Sequence, residues 1–142
     1  QCPCGLHGCL ERSIGSAALQ ARLAATHGHL ALRDIVGRAL AGDAACSRVV
    51  GEAGARLGRA LATVVTLLDP DVVVVDGDLA QAGEAMLGPL RTELTARSLH
   101  AEPGPVRVEV SSLGGAGAVR GAHVVALDAQ QVGITIGAGA LT

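Results

Sequence analysis

The chain has 142 residues, 49% of them apolar and 17% charged, and a formal net charge of −2. That balance excludes a disordered polyelectrolyte and predicts one globular domain with its own core. The chain has no Phe, Tyr or Trp, and its 11 basic residues are all Arg, spread without a cluster, which excludes base stacking on aromatic platforms and a basic nucleic-acid footprint.

No apolar run is long enough to cross a bilayer, and no charged-then-apolar leader precedes "QCPC". The expected compartment is the cytoplasm, with no membrane partner. Thiols stay reduced there, so clustered Cys residues bind metal more often than they pair. The sequence starts inside a motif-like segment without an initiating Met, and reads as a piece of a longer protein.

The opening, "QCPCGLHGCLER", puts Cys2, Cys4 and Cys9 in a C-x-C-x4-C pattern. From about Cys9 the spacing of Leu10, Ile14, Ala17, Ala18 and Leu23 predicts a helix, broken at His27 to His29. A second helix is predicted from about Leu32 to Ala41, with Gly42 and Asp43 as stop and N-cap. A third covers Arg48 to Leu68. Its apolar face comprises Val49, Val50, Ala53, Leu57, Ala60, Leu61, Val64, Val65 and Leu68, and "DPD" (Asp69 to Asp71) ends it. Val72 to Val75 reads as a buried strand of a parallel sheet. After a "DGD" turn, "LAQAGEAMLGPLRTELTARSL" returns as a helix whose second half Pro89 opens. Val106 to Ser112 alternates as a half-buried strand does. A glycine turn then feeds a last helix, Ala116 to Leu127, and "QQVGITIGAGALT" reads as a short strand or a frayed end. Strands alternating with helices predict an α/β layer fold with a mainly parallel sheet.

Three thiolates can bind a Zn²⁺ at about 2.3 Å if the chain curls tightly enough to converge them. Gly5 and Gly8 permit that curl through positive φ. A tetrahedral site needs a fourth ligand: His7, His27, His29, a water, or a residue upstream of Gln1. Cys46, alone among apolar neighbours on a helix, reads as a small buried hydrophobe. Asp69, Asp71, Asp76 and Asp78 flank a strand and read as turn formers. Glu11, in the first turn of a helix, favours the positive end of the helix dipole.

"CPCGLHGCLE" resembles the signature of the ROK family (repressors, open reading frames, sugar kinases), in which C-x-C-G-x-x-G-C-x-E recurs. "LLDPDVVVVDGDLAQAGE" is similar to the family's N-P-E-x-V-V-x-G-G-x-L segment, and "LGGAGAVRGA" follows in the expected order. The resemblance implies the C-terminal lobe of an actin-like, hexokinase-type ATPase fold over residues 1–128. The knuckle lies at 2–9, the tail 129–142 is unassigned, and the N-terminal lobe is absent from this chain. It implies a structural Zn²⁺ on Cys2, Cys4 and Cys9, completed by a histidine that would precede Gln1. It also implies that Glu11 hydrogen-bonds sugar hydroxyls.

The catalytic aspartate and first phosphate loop of the family belong to the missing lobe. Kinases of the family carry consecutive glycines after the strand; here only Gly77 remains, between Asp76 and Asp78. Regulator-like members often read G-G-D-L there, so Asp78 fits them. Two carboxylates repel an anionic nucleotide unless a metal intervenes. Gly77, Asp78, Gly114 and Gly115 are the candidate cofactor-binding positions. The resemblance therefore implies the effector part of a sugar-sensing transcriptional regulator, with an ATP- and Mg²⁺-dependent hexose kinase of glucokinase type as the alternative. As a full-length protein it is expected to form a dimer or tetramer.

Overall fold

The computed structural model describes residues 2, 4–99 and 104–131. In chain order these form α1 (Glu11–Ile14), α2 (Ser16–His27), α3 (Leu32–Leu40), α4 (Ala44–Leu68), β1 (Val72–Val75), a 3-10 turn (Asp78–Ala82), α5 (Glu84–Arg97), β2 (Arg107–Val110), a second 3-10 turn (Gly114–Ala116) and α6 (Gly117–Gln131). β1 and β2 pair in parallel, with Val72 opposite Arg107 and Val75 opposite Val110. The α/β expectation holds, with helix dominating among the described residues.

α4 is the spine. Asp43 caps it by accepting the Cys46 N–H at 2.9 Å, and Gly42 supplies the preceding turn at φ 88°. Asp69 ends it in the left-handed region at φ 44°. Its main partner is α5. Gly51, Gly54 and Gly58 meet Ala85, Met86 and Leu90 in ascending order, so the two helices run parallel. Their closeness depends on those glycines: a Cβ on Gly54 would stand 3.0 Å from the Met86 carbonyl carbon, and one on Gly58 would stand 3.1 Å from that of Leu90. The core beneath is aliphatic, centred on Leu19, Leu23, Ile35, Val49, Val50, Val65, Leu90 and Leu94.

Several expectations need correction. The first helix is two, because Gly15 is extended (φ −65°, ψ 159°) and breaks the ladder between α1 and α2. On α4, Ala60, Val64 and Leu68 are exposed, while the three glycines and Ala62 are buried. Close packing against another backbone selects small residues there, which an apolar count overlooks. β1 is not buried on both faces: Val75 is buried but Val74 is 58% exposed, since the helices described cover one face of a two-stranded sheet. Asp78 enters a 3-10 turn, and α5 starts only after Gly83, at φ 58°.

Pro89 lies within α5 rather than opening a new segment. It has no N–H for the Ala85 carbonyl. That carbonyl faces Gly51 of α4, 3.3 Å from where a Cβ would sit. The last helix runs past Leu127 to Gln131, taking in part of the unassigned tail; 132–142 lie outside the described residues. α6 leaves Val119, Val124, Val125 and Leu127 exposed. Among the described residues no helix is long and apolar enough to cross a membrane.

Candidate functional site

The amino-terminal turn closes on itself. The Cys2 N–H donates to the Leu6 carbonyl at 3.0 Å, and the Gly5 N–H to the Cys2 carbonyl at 2.9 Å. Gly5 (φ 84°) and Gly8 (φ 76°) hold the positive φ this curl requires. The result brings the sulfurs of Cys2, Cys4 and Cys9 within 4.8 Å of one another, with Cys4 and Cys9 3.2 Å apart. All three are free thiols. The Leu6 backbone N–H, and then hydrogen bonds from the Cys9 and Cys2 thiols, hold Cys4 below the ordinary thiol value. The neighbouring Cys4 pushes Cys9 up.

This donor set fits a zinc ion. Tetrahedral geometry at Zn–S of about 2.3 Å puts sulfurs about 3.8 Å apart, so three thiols on one tight turn need move little. Among the described residues no histidine nitrogen lies within 4.8 Å of all three. His27, one of the candidate fourth ligands, is engaged elsewhere.

Glu11 opens α1 two residues after Cys9. It lines a pocket of about 890 Å³ together with Cys2, Cys4, Ser13, Arg22 and Arg56. Its carboxylate folds back over Gly15: a Cβ there would lie 2.6 Å from the Glu11 carbonyl oxygen and 2.8 Å from its carboxyl carbon. The Gly15 N–H donates to that carbonyl at 2.8 Å. Gly15 thus positions Glu11. Sequence reasoning missed it, although a glycine interrupting a helical pattern four residues after an acid was there to be noticed.

A second convergence lies at the far end of α2. His27 Nε2 is 2.9 Å from Asp43 Oδ2, and Thr26 Oγ1 is 2.8 Å from His27 Nδ1. Cys46 is fully buried, as expected, beside the same aspartate. The Cys46 N–H, then His27, lower the Asp43 carboxyl to about 2. Burial pushes the Cys46 thiol up. Local pattern presents His27 only as a helix stop or a distant metal ligand; its partner lies 16 residues further along the chain.

The candidate cofactor positions meet at the carboxyl ends of the strands, where open α/β sheets bind ligands. Gly77 (φ 100°) follows β1, Asp78 starts the first 3-10 turn, and this turn touches the second, which holds Gly114 (φ 56°) and Gly115. Asp76, expected only to form a turn, does more. Its carboxylate lies against Gly117, the first residue of α6, with the carboxyl carbon 3.2 Å from where a Cβ would be.

Residues 1–129 match the model of the ROK family. The chain belongs to the ROK family. It is 30% identical over 141 residues to a glucokinase of Halalkalibacterium halodurans, covering 87% of this chain and 42% of that protein. It is 28% identical over 135 residues to the DNA-binding transcriptional repressor Mlc of Escherichia coli, covering 88% and 33%. Among solved structures, a ROK family glucokinase from Streptomyces griseus, in complex with glucose and AMPPNP, superimposes with a TM-score of 0.71 at 26% identity, over 86% of this chain and 45% of that one. The fold is therefore the actin-like α/β fold of ROK glucokinases. This ROK chain spans less than half the length of each of these relatives, which include both regulators and kinases.

Proposed function

We propose that this chain is the sugar-binding effector part of a ROK transcriptional regulator. Cys2, Cys4 and Cys9 hold a structural Zn²⁺. The ion stiffens the turn that carries Glu11, and Glu11 accepts hydrogen bonds from sugar hydroxyls. The zinc takes no part in chemistry on the sugar; it replaces the weak S–H contacts of the turn with metal–ligand bonds and so fixes where α1 begins.

The observation that carries the regulator reading is the contact of Asp76 with Gly117. The start of a 15-residue helix is a ready site for an anion, because its unpaired N–H groups and dipole favour negative charge. In this chain an internal carboxylate lies there, with Asp78 two residues on. A nucleotide phosphate approaching the same crevice meets negative charge instead of a glycine backbone. The kinase reading has the Gly114–Ala116 turn in its favour, since it leaves backbone accessible at the strand ends.

Assay of the full-length protein for ATP-dependent phosphorylation of hexoses separates the two. The regulator reading expects sugar binding without turnover, and no nucleotide binding. Phosphorylation of any hexose at a catalytic rate would overturn it.

A further inference from the structure

Cys4 and Cys9 stand closer than a shared metal ion requires. Their sulfurs are 3.2 Å apart, against about 3.8 Å for two thiolates on one tetrahedral zinc. A disulfide bond measures about 2.05 Å, so the pair lies between the two states. The chain between them is the four residues Gly5 to Gly8. Both glycines hold positive φ, and neither has a heavy atom within 4 Å of where a Cβ would sit. The segment therefore has room to close the remaining gap. The thiols also differ in access. Cys4 is exposed, Cys2 and Cys9 are half-buried, and Cys46 is fully buried on α4 in a separate group. A dissolved oxidant reaches the exposed sulfur first. Cys2 lies within 4.8 Å of Cys4 as well, but a bond between them would span the single residue Pro3, whose ring fixes φ and leaves no slack.

We propose that Cys4 and Cys9 form an oxidative modification site: hydrogen peroxide converts them to a disulfide, and the disulfide and the zinc exclude each other. The Cys4 sulfur attacks a peroxide oxygen, the O–O bond breaks, and Cys4 becomes a sulfenic acid with release of water. The Cys9 sulfur then attacks the Cys4 sulfur. The S–S bond forms, the S–O bond breaks, and the departing hydroxide takes the Cys9 proton and leaves as water. Two thiols lose two electrons, and one hydrogen peroxide is reduced to two waters. Neither sulfur of the disulfide is then a thiolate, so Cys2 alone of the three remains able to hold metal. The exclusion rests on the reading of this turn as a zinc knuckle; the disulfide rests on the sulfur geometry.

The test treats the full-length protein, freed of reductant, with hydrogen peroxide and then alkylates it under denaturing conditions. Peptide mass spectrometry should find Cys4 joined to Cys9, with Cys2 and Cys46 alkylated, and the pair should oxidise at least about tenfold faster than Cys46. A chromogenic chelator should read about one zinc released per disulfide formed, and dithiothreitol with added zinc should restore the starting state. Cys9→Ser should abolish the disulfide and leave Cys4 as a sulfenic acid that dimedone captures. Should that variant fail to fold, the disulfide map of the parent protein decides alone. A bond from Cys4 to Cys2, or Cys4 carried to the sulfinic acid without any disulfide, overturns the proposal. So does a Cys4–Cys9 disulfide formed while the zinc stays bound. A parent protein that holds no zinc before treatment yet forms the Cys4–Cys9 bond overturns the knuckle reading instead.

Discussion

Gly54 of α4 rests directly on the backbone of Met86 in α5, with no room for a methyl group between the two helices. The same approach recurs one turn later at Gly58 and Leu90. These contacts set the spacing of the longest helix against its main neighbour, and thereby the frame on which β1, β2 and the loops after them are mounted.

Gly54→Ala should destabilise the chain. The methyl group gains helix propensity of about 1 kcal/mol. Its obstacle, however, is a main-chain carbonyl that cannot rotate aside, and overpacking of this kind costs about 1–3 kcal/mol. Gly37 is the control: it lies inside α3, is exposed, and has nothing within 4 Å of where a methyl group would sit. Gly37→Ala should raise stability by up to about 1 kcal/mol. Chemical denaturation of both variants checks the pair, and equal effects would mean that the glycine stripe does not set the helix spacing.

Asp43 predicts an acid-sensitive joint. Its carboxyl lies at about 2 in the folded chain against an ordinary 3.8, owing first to the Cys46 N–H and then to His27. A depressed carboxylate stabilises above its unfolded value, and that contribution fades as pH falls toward the folded one. Asp43→Ala should therefore lower the melting temperature at neutral pH, and the gap to the parent should close between about pH 4 and pH 2. Thermal melts across that range decide it; a gap of constant size would show that the charge contributes nothing.

The three clustered thiols predict metal content. The full-length protein, purified under reducing conditions without chelators, should hold about one zinc per chain at this site. Cys4→Ser should remove most of it, because the thiol is central to the cluster. Cys46→Ser should not, since Cys46 is fully buried beside Asp43 and belongs to a separate group. Elemental analysis that finds no transition metal in the parent protein, or equal loss in both variants, would sink the knuckle.

Gly15 and Glu11 predict a separable defect. A methyl group at Gly15 collides with the Glu11 carboxylate and carbonyl, so Gly15→Ala should weaken sugar binding by about tenfold, approaching the loss in Glu11→Ala. Zinc content should survive in both, because neither side chain is a ligand. Loss of zinc along with sugar affinity would mean that Glu11 serves the turn and not the ligand.

What the sequence determined by itself is local. Gly42 and Asp43 mark the junction before α4, and Asp69 stops that helix, because caps and turns depend on the conformational preferences of a few adjacent residues. The thiol turn was legible for the same reason: its three sulfurs and two glycines fall within eight residues, so the chain can curl on itself without help from the rest of the fold.

Tertiary structure decided what depends on partners far along the chain. Gly51, Gly54 and Gly58 look like weak points in an apolar helix, yet they are its closest contact, because α5 lies against them some 30 residues later. His27 finds Asp43 across a loop and a whole helix, and Asp76 finds the start of α6 only once β1 and β2 lie side by side. A backbone approach or a charge placed at another helix's end leaves no periodic trace, since its cause is the packing of two distant segments and not the preference of either one.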